Sequence, residues 1–282
     1  MRDESPERYC FSQWHFSKLG AAHAGCDFTD GTYMRMNLRV AFLASATLFA
    51  ILASGCASLP EQQAFNRNAN SSIKTIAVLE TQPTDMQVML MNNPAMSFGL
   101  IGGLVAAADQ KSKEGKLEAI VAKTDFQPLP YFRKQLTLHM DERGYTLVWP
   151  AQQVQTAKVQ RTSLGLRKGY GPTTVADAQL DVNFGFVGYA AAGVGKSAPY
   201  RPTVTASVRL VSVDGKQNLY TDYIAVNNVF NMKNAVVLEA DPQFAYPGFS
   251  DLEAAGIASV DGLQKAIDDV ALKISQQISG MP

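Results

Sequence analysis

The 282-residue chain carries 25 Lys plus Arg against 25 Asp plus Glu, and 46% of its residues are apolar. A formal charge of zero, with no run of basic residues, excludes a chain built to grip nucleic acid or an anionic surface. Three cysteines and three histidines leave little material for metal or nucleophile chemistry.

Taken in order, residues 1–33 hold Cys10, Cys26, Trp14, His15 and His23 and keep neither a helical nor a strand period. Residues 34–55 do carry a pattern. Arg35 and Arg39 lead an apolar run, and Leu52-Ala53-Ser54-Gly55 closes it with small residues before Cys56. A basic end, an apolar centre and a small-residue site are the three parts of a secretory signal. Since a signal begins with its basic end, residues 1–33 are expected to be a disordered upstream extension, with translation starting at Met34 or Met36. The fourteen residues from Leu38 to Ile51 fall short of the roughly 20 that a spanning helix needs. An uncleaved signal anchor is the alternative.

With cysteine directly after Ser54-Gly55, the stretch resembles the lipobox of bacterial lipoproteins. The resemblance implies a diacylglyceryl thioether on Cys56, cleavage between Gly55 and Cys56, and acylation of the freed amine. Two or three acyl chains hold a protein on a bilayer effectively permanently, whereas one does so only marginally. In that class an aspartate after the cysteine retains the protein at the inner membrane. Ala57 and Ser58 stand here instead, which implies the outer membrane of a Gram-negative cell, facing the periplasm. Two cysteines then lie upstream of the cleavage and the third carries lipid. The mature domain has no disulfide and depends on core burial.

Residues 56–72 are polar after the lipidation site and are expected to be a flexible tether. Residues 73–282, about 210 in number, suffice for a single domain with a substantial core. Ile73 to Glu80 is β-branched and predicts a core strand, and Met86 to Met91 predicts a second. Met86, Met89, Met91 and Met96 suit either a cuprous thioether site or the filling of an irregular core. The core reading is preferred because no cysteine or second histidine stands near, so no cofactor or metal is expected.

Residues 96–108 are apolar with three glycines, and Gly99, Gly103 and Ala107 recur every four residues. On a helix they make one smooth face for close approach. The helix packs against the sheet, touches lipid, or joins copies of the chain. A polar helical stretch follows from Asp109 to Lys123. Tyr131 to Arg143 predicts a further helix, capped at Gly144, and Tyr145 to Trp149 a strand. His139, the lone histidine after Cys56, cannot build a zinc site or a triad.

Ala178 to Ala190, Arg201 to Val213 and Asn218 to Asn228 alternate with a period close to two. Asp214-Gly215 joins the last two, so three antiparallel strands are expected. Ala190 to Ser197 imitates a phosphate-binding loop, but Pro199 and Pro202 prevent the helix that such a loop must open. Residues 239–256 carry Phe244, Tyr246 and Phe249, which either fold under to cap the core or form a partner surface. Val260, Leu263, Ile267, Val270, Ile274 and Ile278 recur at three and four residues, a closing amphipathic helix that ends at Gly280.

The order predicts an α+β fold: a two-layer sandwich with a mixed or antiparallel sheet, a three-strand meander and a covering C-terminal helix. The lipobox, Ile76-Ala77-Val78, the run from Phe98 to Gly103 and the Asp214-Gly215 turn are similar to those of periplasmic assembly-factor lipoproteins of the curli-secretion and peptidoglycan-synthase-activator type. The resemblance implies a binding or scaffolding accessory of an envelope complex. Its partners are the bilayer, through Cys56, and an envelope protein. The candidate interface residues are Gly99, Gly103, Ala107, Phe244, Tyr246 and Phe249. No catalytic constellation is visible. An oligomeric secretion or pore component using residues 96–108, and a carboxylate-based envelope hydrolase, are the alternatives.

Overall fold

The Asp214-Gly215 turn stands at the centre of the architecture. In the computed structural model, which describes residues 61–280 apart from Glu80, Pro83 and residues 150–158, this turn joins β5 (Arg201–Ser212) to β6 (Asn218–Val226). Gly215 supplies the positive φ of 73° that a tight turn demands, and the Asp214 carboxylate accepts from the Lys216 N–H at 3.1 Å. β4 (Ala178–Ala191) pairs antiparallel with β5, and β5 with β6, which is the predicted meander. The signal, Gly55, Cys56 and residues 1–33 lie outside the described residues.

On the other edge of β4, β1 (Thr75–Val78) and β2 (Gln87–Leu90) run parallel to it, β1 beside its start and β2 beside its end. β3 (Thr146–Val148) pairs with β1, and β7 (Val236–Leu238) with β6. Seven strands among the described residues thus form one mixed sheet, ordered β3-β1-β4-β5-β6-β7 with β2 also on β4. The α+β class expected from the sequence is what the chain adopts.

Alternation along β4 changes phase once. Leu180, Val182 and Phe184 enter the core, and after Gly185 the inward positions become Val187, Tyr189 and Ala191. Phe184 faces Ala206 and Phe186 faces Thr205, so Gly185 is the extra residue of a bulge.

The described residues form four α-helices: α1 (Gly99–Val121), α2 (Pro128–Asp141), α3 (Phe249–Ala255) and α4 (Ala258–Ser279). All six residues that predicted the closing helix are buried on α4, which ends at Gly280 with φ 67°. α2 begins three residues before its expected start, because proline is tolerated in a first helical turn where its missing N–H has no partner to lose. Its Phe132 meets Phe184 of the sheet edge to face at 5.0 Å.

The tether expected through Ser72 is corrected for its described part. Gln63 pairs with Thr221 of β6, the Gln62 amide donates to Asp222 at 2.7 Å, and Arg67 donates to the Ser279 carbonyl at the end of α4. Polar composition did not prevent docking, because these bonds satisfy backbone and carboxylate groups that the domain would otherwise leave open. The domain therefore includes Gln62 and the residues that follow it.

Candidate functional site

α1 is two helices in one. Its second half enters the core with Leu117 and Ile120 and is tied to α3 by Lys116, which pairs with Glu253 at 2.9 Å. Lys113 also lies over the Phe249 ring, 5.7 Å from its centroid. The first half does not reach the core. It is preceded by a 3-10 turn, Pro94–Phe98, which Asn93 caps by accepting from the Ala95 N–H at 3.0 Å.

That turn folds back on the helix. A Cβ at Gly102 would stand 1.9 Å from the Ala95 carbonyl oxygen, so only glycine lets the turn close, and Ala106 is buried one turn further on. The remaining surface points to water. Met96, Phe98, Leu100, Ile101, Leu104 and Val105 are each between 59 and 82% exposed. Six large apolar side chains within ten residues form a patch of the kind that marks an interaction site.

The sequence therefore identified the segment but chose the wrong packed face. The four-residue recurrence predicts Gly99, Gly103 and Ala107 as the face of close approach. A Cβ at Gly99 or Gly103 meets nothing within 4 Å, and Ala107 is exposed. The residues that pack are Gly102 and Ala106, one position earlier, and Gly102 packs on the 3-10 turn.

Phe244, Tyr246 and Phe249 are half-buried and turned inward. Tyr246 stacks near Tyr189 at 5.6 Å, Phe249 meets Tyr200 at 6.0 Å, and Phe244 sits over Gly262 of α4. Tyr246 and Phe249 pack against the core, as the capping reading expects. Burial pushes the Tyr189 phenol well above its ordinary pKa, and its hydroxyl donates to the Ser259 carbonyl at 2.8 Å.

His139 Nε2 lies 2.7 Å from Asp268 Oδ1, joining α2 to α4 as a structural link. The imitation phosphate loop is a turn between β4 and β5, followed by a strand. Met86 is buried in the core whereas Met96 lies on the exposed turn, so the four methionines do not share one environment. Among the described residues, no three of His, Cys, Asp and Glu gather as a metal site.

No local pattern signals the polar cluster on the sheet face away from α4. Asp181 of β4 is fully buried; its Oδ2 accepts from the Arg167 N–H at 2.7 Å and from the Tyr170 hydroxyl at 2.9 Å, and Arg161 Nη1 stands 4.0 Å from Oδ1. Burial and the adjacent Asp181 carboxylate together hold the Tyr170 phenol far above its usual pKa. The cluster fastens residues 161–170 to the sheet. An open groove between β7 and α4 carries Lys265 and Asp269, which pair with each other. No helix among the described residues is long and apolar enough to cross a membrane. Comparison with protein-family models and with curated proteins finds no match for the chain.

Proposed function

We propose that the protein is a lipid-anchored, periplasm-facing lipoprotein of the outer membrane that works by binding, as an accessory of an envelope protein complex. The observation that carries this reading is the uncharged tip formed by residues 96–108, whose apolar side chains find no cover within the domain. Exposing that much apolar area to water is unfavourable at roughly 25 cal/mol per Å². A surface of this kind marks a contact with something outside the domain. The lipobox resemblance at Cys56 supports a partner at or near a membrane.

Amine-reactive cross-linking of the anchored protein in its own membranes tests the reading. The expected outcome is a cross-linked envelope protein that is reduced several-fold in a Leu100→Glu/Leu104→Glu variant and in Cys56→Ser. Recovery of the same products from all three proteins would reject it. The same segment also favours a second reading, an oligomeric secretion or pore component. Ring-shaped particles after detergent extraction would support that reading instead.

A further inference from the structure

We infer that the tip enters the interfacial zone of the bilayer, as a second membrane contact beside the acyl anchor. The inference rests on the anchored reading for the presence of a membrane and adds what the tip does there.

The width of the apolar surface favours lipid over a protein groove or a second copy. At about 100° per residue, Leu100, Leu104, Ile101 and Val105 span about 140° of the helix surface. Gly99, Gly103 and Ala107 extend that arc on one side, and only Gly102 and Ala106 are covered. A helix pair uses a narrower seam and leaves the rest of the circumference polar. In the first ten residues of α1 no polar side chain interrupts the exposed surface. A medium that surrounds the segment matches it better than a partner that touches one side.

The placement of charge agrees. No Asp, Glu, Lys or Arg occurs from Met86 to Ala108, and then Asp109, Lys111, Lys113, Glu114 and Lys116 follow in quick succession. From Gly99 to Asp109 the helix rises about 15 Å. That is half of the roughly 30 Å hydrocarbon core, so the tip cannot cross. It is long enough for an inclined segment buried about 5–10 Å at the headgroup boundary, with the charges left at the water side.

The direction of the anchor is the third observation. β2 pairs with the last residues of β4, Gly188 to Ala191, and the 3-10 turn begins four residues after β2, so the tip belongs to that end of the sheet. β6 runs toward the same end. Gln63 pairs antiparallel with Thr221, and Gln62 bonds to Asp222. Followed backwards, Gln63 and Gln62 therefore head toward the tip's end of the sheet.

The test uses the full chain with Cys10 and Cys26 replaced by serine, reconstituted in vesicles of phosphatidylethanolamine and phosphatidylglycerol. An environment-sensitive fluorophore is placed on Leu104→Cys or, at the far end of the sheet, on Val175→Cys. The inference expects a several-fold gain in emission at residue 104, quenched by lipids spin-labelled near the headgroup, and no change at residue 175. Equal behaviour at the two positions overturns it. So does an unquenched signal at residue 104 together with a disulfide-linked dimer of the unlabelled Leu104→Cys protein, which would assign the tip to a second copy. Mass spectrometry of Cys56 in the same sample keeps the two proposals apart. An unlipidated Cys56 defeats the anchored reading alone, and adding vesicles to that unanchored chain still decides the tip by the same quenching.

Discussion

α1 and α4 are nearly equal in length, 23 and 22 residues, yet α4 buries twelve of its residues and α1 only four. Apolar content does not explain the difference, since residues 99–108 of α1 contain no polar side chain at all. Arrangement does. α4 repeats its apolar residues at three and four and keeps polar ones between, so one stripe is specified for the sheet. The first half of α1 is apolar all round and specifies no face. The lesson is that a helix is fixed in place by contrast between its faces, and a helix without contrast remains available to something outside the domain.

Substitutions can break or sharpen that contrast. The largest effect is expected from Ile267→Ala on α4, where a fully buried side chain is lost. It should cost about 2–5 kcal/mol in urea unfolding, as deletions in a packed core do. Leu104→Ala, equally drastic in side-chain size, should stay within about 0.5 kcal/mol, because its surroundings are water. A comparable loss at both sites would mean that the tip is packed after all.

Glycine to alanine should change sign between the two helices. At Gly262 a Cβ would lie 2.5 Å from the Tyr189 hydroxyl and 2.9 Å from Phe244, so Gly262→Ala should destabilise by about 1–3 kcal/mol despite better helix propensity. At Gly103 the Cβ meets open space, and Gly103→Ala should stabilise by up to about 1 kcal/mol. Thermal unfolding of the two variants side by side measures both.

A smaller effect is expected where the second half of α1 meets α3. The Lys116–Glu253 pair joins side chains that are about half exposed, so Lys116→Ala should cost no more than about 1 kcal/mol, and the cost should shrink in high salt.

The smallest effect is at the start of β1, far from the tip. Asp177 accepts from the Thr75 and Lys74 backbone N–H groups, which hold its carboxyl below the ordinary aspartate range. A carboxylate with a lowered folded-state pKa adds stability above its unfolded value, and that stability is lost as pH falls through the folded value. Asp177→Asn should therefore flatten the decline in urea midpoint between about pH 5 and about pH 2, where paired carboxylates are protonated. An unchanged acid slope would show that these bonds do not bias its ionisation.

Much of the fold was legible because its cues are local. The Asp214-Gly215 turn, the period-two strands and the three-and-four spacing of α4 each announce themselves within a few residues. The bulge at Gly185 was visible only as adjacent Phe186 and Val187 breaking the alternation. The docking of Gln62, Gln63 and Arg67 had no local cue, since their partners stand more than 150 residues away in sequence. The candidate site was legible as a segment and misread in phase. Which small residues pack was decided by a 3-10 turn that brings the Ala95 carbonyl over Gly102.

Composition, charge and periodicity by themselves determined the fold class, the meander and the covering helix, because burying a patterned face is a local instruction repeated along the chain. Only the tertiary structure decided that the aromatic loop is spent on the core and that residues 96–108 are left outside it. The physical reason is that exposure depends on what the rest of the chain brings to a surface, and over the large apolar side chains of α1's first half it brings no cover.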